Sequence, residues 1–286
     1  MLYSCAQAWR SVQSQRGVVT GILRDDPGRV EGVRCRLAGS ETEVSYRARV
    51  VVGCDGSQSV VRRALGIWAV QEPYDHEQVI IAANGQAELP AALHWYLDDI
   101  GALCVVSRPR QQARILLTLP IGARGDLLKQ PDPALHDYVA ARFPILSHLD
   151  IVKANAYVYR LARHVADSFW SPGAALVGDS AHATHPAGAT GMSLAISGAA
   201  RFAARLVPVL QAGANAAIDE QLQAYDTERR PAALQAVAAN HNQALRIWQS
   251  ELFRDPDAYA AAIDPHSGWG AVGAGWGEDP AALKAS

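Results

Sequence analysis

Two short stretches of the sequence carry residue types and spacings that could do chemistry. In VGDSAHATHPAGATGMSLA (177–195), Gly178 and Asp179 follow a short apolar run and precede His182, His185, Pro186, Gly188, Gly191, Met192 and Ser193. A carboxylate at the end of a strand can accept hydrogen bonds from sugar-alcohol hydroxyls, and the proline stiffens the loop beyond it. Glycines at 188 and 191 leave room for a flat ring to lie against backbone. The helix expected to begin near Met192 points unbonded N–H groups and a partial positive charge at that ring, which favours an anion along its edge. In the second stretch, GCDGSQSVVR (53–62), Asp55 and Gly56 follow an apolar run, and Ser59 and Arg62 stand at the start of a helix. Here Asp55 can accept hydrogen bonds and Arg62 can hold phosphate. The same residues also suit a plain capped turn from strand to helix, with Ser59 in its first turn.

Other chemistries compete for the first stretch. Asp179, His182 and His185 are spaced three apart and could offer ligands to a metal, but a loop built on glycine and proline keeps no helical face. Histidines that pack or line a ring edge are therefore expected there, and no metal. The triplet at 178–180 also opens one family of serine esterases, with Ser180 as nucleophile and His182 or His185 as its base. That family's motif lies near the N-terminus and is completed by a late Asp-x-x-His, which this sequence lacks.

The elements that must position these residues follow from periodicity. Residues 4–15 suit a short helix. Alternation over 18–23, 30–37 and 43–52, with turn signals between, predicts a three-stranded meander. Val44, Tyr46, Ala48 and Val50 share one face of its last strand, which ends in three valines at 50–52. Such a run needs both faces covered, so this strand is expected to pass into a central, helix-flanked sheet. Short strands at 79–83, 93–97, 103–107, 114–119 and 156–161, with a helix near 134–142, predict a second, mostly antiparallel sheet inserted into the first domain. A buried strand follows at 174–177, then helical pattern beyond Met192, with a helix ending before Pro231 and another starting there. In open α/β sheets ligands collect outside the carboxyl ends of strands, where both motifs fall.

Composition narrows the function classes. The 286 residues, 49% hydrophobic, can bury one large core or two smaller ones. Twenty-six Lys and Arg against 28 Asp and Glu give a formal charge of −2, with no basic field for nucleic acid. The cysteines at 5, 35, 54 and 104 are far apart and read as reduced, buried thiols, which points to the cytoplasm. No signal peptide or membrane span is expected, since the apolar segment 194–210 carries Arg201 and Arg205.

Taken together and in this order, GCDGSQSVVR and GDSAHATHPAGATGMSLAISGA (178–199) resemble the Asp-Gly and Gly-Asp motifs of the FAD-dependent aromatic hydroxylases of the para-hydroxybenzoate hydroxylase type. The resemblance extends over most of the chain, including AYDTERRPAA (224–233). It implies an α/β (α+β) fold with a three-layer FAD-binding domain and an inserted, mostly antiparallel substrate sheet. It also implies that Asp179 binds the ribityl chain, that Asp55 lies where FAD and pyridine-nucleotide phosphates pass, and that Pro186 sits near the reacting edge of the flavin. The remaining cofactor contacts would come from Gly56, Arg62, Gly178, Gly188, Gly191, Met192 and Ser193. Where the family usually has Asn this chain has Ser193, and where it usually has Asp in the following helix it has Gly198.

The implied activity is hydroxylation of an aromatic or polyketide-like ring with O2 and NAD(P)H as co-substrates. No general base is identified by the sequence. Trp95, Tyr96, Tyr157 and Tyr159 would either stack on the substrate or form ordinary sheet core. The implied domains are 1–66 with 162–210 for FAD, 67–161 for substrate, C-terminal helices over 211–263 and an irregular tail over 264–286. Family members open with a strand, a GxGxxG turn and a helix. Here the cluster GWGAVGAGWG (268–277) follows no strand and opens no helix, so it is assigned to the tail. The chain is accordingly expected to be a truncated or split form, with a separate chain supplying the first βαβ unit, or a catalytically degenerate partner subunit.

Overall fold

The computed structural model describes residues 2–26, 28–85, 93–97, 102–108, 112–122, 129, 131–142, 147 and 149–248. These form two compact units, one of residues 2–26, 28–72 and 163–241, the other of the described residues between 73 and 162 with 242–248.

In the first unit, alternating residues build an antiparallel meander of β1 (Gly17–Arg24), β2 (Val30–Leu37) and β3 (Glu43–Arg47). Helix α1 (Leu2–Gln7) ends well before residue 15, and Trp9 (70% exposed) and Val12 (44%) beyond it are exposed rather than buried as a continued amphipathic helix would have them. The single strand expected over 43–52 is in fact two. The chain leaves the meander after Arg47, and Val51 N donates instead to Gly173 O. It resumes as β4 (Val51–Gly53) in a second sheet, parallel to β11 (Ala174–Leu176), which β10 (Trp170–Ser171) flanks on its other side. Val51 and all of β11 are buried, as unbroken apolar runs require, but Val52 is 38% exposed, so one side of β4 is not covered.

Helix α2 (Val60–Leu65) follows β4; α4 (Gly191–Gln211) and α5 (Ile218–Trp248) follow β11. Leu206, Ile218 and Leu222 pack around Ala175, while Tyr225 and Ala233 pack with Leu176 and Phe169. Pro231 does not divide α5, contrary to expectation. An interior proline costs roughly 3 kcal/mol. Burial of Ile218, Leu222 and Tyr225 before it and of Ala233 and Val237 after it holds both halves of the helix in place. Among the described residues α4 alone is long and apolar enough to cross a membrane by length and composition. Its Arg205, however, pairs with Glu228 of α5 at 2.7 Å, and its Leu206 is buried in the core.

The second unit is a sheet in the order β9-β5-β8-β7-β6, formed by β5 (Glu72–Asn84), β6 (Leu93–Leu97), β7 (Ala102–Arg108), β8 (Gln112–Pro120) and β9 (Asp150–Val165). Alternate residues Val79, Ile81, Ile115, Leu117, Leu103 and Val105 meet Leu135 and Val139 of α3 (Asp132–Arg142). The expected tail at 264–286 and the side chains of Trp95 and Tyr96 lie outside the described residues. All four thiols are free, but Cys5 and Cys54 are exposed and only Cys104 is buried, which corrects the expectation of four buried thiols.

Candidate functional site

The parallel register Leu176↔Gly53 sets the ends of β11 and β4 side by side, so both motifs emerge from one edge of the sheet. Ser180 joins them. Its hydroxyl donates to Gly53 O at 2.6 Å and accepts from Val177 N at 3.2 Å, and the residue is fully buried. A hydroxyl so enclosed cannot attack a substrate, which removes the esterase alternative.

At the β4 end the capping reading describes the geometry. Asp55 accepts hydrogen bonds from Ser59 Oγ, Val60 N (2.7 Å) and Val61 N (3.1 Å), and Ser59 Oγ in turn accepts from Arg62 N. Two orphan N–H groups of α2 are thereby satisfied by one carboxylate. Burial works to raise the Asp55 pKa, but the hydrogen bonds from Ser59, Val61 and Val60 outweigh it and hold the carboxyl below its ordinary value. Arg62, expected to hold phosphate, is instead 5% exposed and turned inward. Its Nη1 donates to Ser180 O (2.7 Å) and its Nη2 to Ser57 O (2.8 Å). The guanidinium fastens the two motifs to each other.

The β11 end is open. Gly178 has φ +70, in the left-handed region that glycine adopts without strain, and this bends the chain out of the strand. Asp179 then stands at the surface, where its carboxylate accepts no hydrogen bond from any described residue. The protein backing one side of it raises its pKa through desolvation. Past β12 (His182–Ala183), Pro186 starts the one-turn helix Pro186–Gly188, whose Ala187 N donates to His185 Nδ1. Helix α4 then begins at Gly191, and no side chain caps its first N–H groups. Met192 is 75% exposed and Ser193 is also exposed. A free carboxylate, a glycine-bearing turn and an uncapped helix end therefore share one surface. That donor set fits a flat anionic ring carrying a polyol.

Sequence reasoning missed the residues that brace this surface. His164 of β9 is 2% exposed. Its Nδ1 lies 3.3 Å from Gln71 Nε2, and its Nε2 lies 3.1 Å from Asp179 O and 3.2 Å from Arg62 Nη1, so the ring touches both motifs. Burial and the neighbouring Arg62 pull its pKa down to about 4, and it stays neutral. His182, 4% exposed, is likewise lowered to about 4 by burial and by Arg229. An isolated histidine on a strand gave no signal of this; only the pairing of β9 with β12 brings His164 there. Among the described residues no group of three or more His, Cys, Asp or Glu is placed to hold a metal. Tyr157 and Tyr159, at 56% and 50% exposed, lie outside the sheet core that one expectation assigned them.

A family model described as "FAD binding domain" matches residues 1–240. The chain is 27% identical over 215 residues to ubiquinone hydroxylase UbiL of Rhodospirillum rubrum, covering 74% of this chain and 48% of that protein. It is 26% identical over 239 residues to pentachlorophenol 4-monooxygenase of Sphingobium chlorophenolicum, covering 82% and 43%. The fold superposes with a TM-score of 0.70 on p-nitrophenol 4-monooxygenase PnpA of Pseudomonas putida, at 20% identity, over 88% of this chain and 62% of that one. The chain spans about half the length of the curated relatives it matches.

Proposed function

Because the chain belongs to the FAD binding domain family, we propose that it forms part of a cytoplasmic, FAD- and NAD(P)H-dependent monooxygenase that places one oxygen atom of O2 on an aromatic or polyketide-like ring. The exposed Asp179 carboxylate, without a hydrogen-bond partner among the described residues and beside an uncapped helix start, carries this reading. Asp179 would hold the ribityl hydroxyls, with Gly178 giving the bend that presents it. Pro186, Gly188, Gly191, Met192 and Ser193 would line the ring, and the first N–H groups of α4 would favour negative charge along the ring edge. Asp55, Gly56 and Arg62 belong to the same proposed cofactor set, with Asp55 and Arg62 acting through the turns they brace. When bound, FAD would supply hydride acceptance and oxygen activation, and the chain's own residues would bind it, orient it and exclude water.

Tyr157 and Tyr159, exposed on one face of β9, remain the substrate-stacking residues of this reading, together with Trp95 and Tyr96. The division into a discontinuous FAD domain (1–66, 162–210), a substrate sheet (67–161) and C-terminal helices (211–263) belongs to the same proposal. A finer reading concerns partners: a strand from a separate chain adds to β4. Its support is the position of β4 at the edge of its sheet, with Val52 38% exposed beside it.

Titration of the purified chain with FAD, followed by flavin fluorescence, tests the central claim. Asp179→Asn should weaken binding about tenfold, the cost of a charge-assisted hydrogen bond. Equal affinity in this variant and the unaltered chain would remove Asp179 from the site.

A further inference from the structure

The turn that would face the flavin is gripped from behind by a residue outside both motifs. Asn240 lies on the buried face of α5, in line with Ala233 and Val237, and is itself only 5% exposed. An amide at a core position needs partners for its donors. Asn240 Nδ2 finds two: it donates to Thr184 Oγ1 at 2.8 Å and to Thr190 Oγ1 at 2.7 Å. These threonines immediately flank residues 185–189, so one side chain closes both ends of the turn. The oxygen of the same amide sits where a side chain at 188 would be, since a Cβ built on Gly188 would come within 1.5 Å of Asn240 Oδ1. The fit between Gly188 and Asn240 is therefore mutual: the glycine makes space for the amide, and the amide spans the turn.

The grip also accounts for two local irregularities. Ala189, at φ 45, is the one non-glycine residue with positive φ among those described, a conformation that side chains adopt only when surroundings hold it. Thr190 stands at the N-cap of α4 yet gives no side-chain hydrogen bond to the helix, because its hydroxyl faces Asn240. The first N–H groups of α4 are thus left uncapped by the contact that fixes the turn.

Resting on the flavin reading above, we infer that Asn240 is a positioning residue for the cofactor site: by binding Thr184 and Thr190 together it holds the 185–191 backbone in the shape that receives the flavin ring. It touches no ligand and acts through the turn.

The test uses the full chain and two readouts, hydrogen exchange at Ala187 and Ala189 without flavin, and the FAD dissociation constant. Asn240→Leu, similar in volume but without donors, should speed exchange at both amides about tenfold and weaken FAD about tenfold, leaving exchange in β11 unchanged. The pair Thr184→Val and Thr190→Val should reproduce both effects and add nothing when combined with Asn240→Leu. The pair Thr184→Ser and Thr190→Ser, which keeps the hydroxyls, should bring both readouts back to within about twofold of the unaltered chain. If Asn240→Leu does not fold, the threonine pairs test the same bonds from the other side. FAD binding by the unaltered chain that both disrupting variants retain would overturn the assignment of Asn240 alone. Failure of the unaltered chain to bind FAD would sink the flavin reading and this inference with it.

Discussion

At the end of β4 the polar side chains are engaged by the protein itself. Asp55 is spent on Ser59 and two N–H groups, and Arg62 on two carbonyls. At the end of β11 Asp179, exposed like Asp55, accepts no hydrogen bond from any described residue, and the helix beyond it starts uncapped. Both ends read alike in sequence, as an apolar run followed by Asp and Gly in either order. What separates them is the supply of local donors. Asp55 has a helix beginning five residues later to satisfy it, whereas a short helical turn, a strand and a proline lie between Asp179 and the next helix. The same residue type is a structural cap in one place and an available ligand in the other.

The largest effect on this pair is expected from acid. His164 spans both ends, and His182 lies just beyond the second; both have folded pKa values lowered to about 4. The unfolded chain therefore takes up protons first as pH falls. Stability is full above roughly pH 6.5, declines between there and 4, and loses nothing further from these groups below that. Unfolding at pH 5 should take up about two protons at these sites, measurable from the slope of stability against pH. Replacing both histidines by glutamine should flatten that slope; an unchanged slope would mean that neither is held neutral.

Next in size is the comparison that exchanges the two aspartates. Asp55→Asn should cost about 2 kcal/mol of stability, since it weakens a charged acceptor shared by three donors. Asp179→Asn should cost none, because its ionised form is disfavoured in the fold, while FAD affinity falls about tenfold. Loss of stability at both positions would erase the distinction drawn between them.

The third concerns the seam itself. Ser180→Ala removes the buried hydroxyl from Gly53 O and Val177 N, which stay bonded to each other at 2.9 Å, and should cost about 1 kcal/mol in denaturant unfolding. If the two ends were independently stable, the loss would stay well below that.

How much of this was legible depends on range. The meander, the buried β11 and the helix after Gly191 could be read because their signals are local: alternation, an apolar run, glycines before a helical pattern. The break between Arg47 and Val51 was not, since it depends on Val51 N finding Gly173 O, more than a hundred residues away. Pro231 misled because propensity carries no record of the packing on either side. At the site, Asp179 could be singled out from its motif as a candidate. The inward turn of Arg62 could not, because its acceptor at Ser180 is brought close only by the parallel pairing of β4 with β11. Asn240, far from either motif in sequence, left no local trace at all.

The smallest expected effect concerns the back of the open end. Gly198 is buried in α4, and a Cβ there would lie 3.6 Å from Tyr225 Oη and 3.9 Å from Arg229 Nε, ordinary contact distances. Arg229 Nη2 bonds Ser197 Oγ at 3.0 Å, but its buried Nε has no partner among the described residues. Gly198→Asp places an acceptor beside that Nε and removes a glycine from a helix interior, so stability should rise by about 1 kcal/mol. Gly198→Ala separates the two contributions, as it supplies only the helical part. Because Arg229 helps to depress the His182 pKa, the new carboxylate should also let that pKa climb back toward its ordinary value. Less stability would then be lost between pH 6.5 and 4 than in the alanine variant. A Gly198→Asp variant no more stable than Gly198→Ala, with the same response to acid, would show that the unpaired guanidinium edge places no load on the open end.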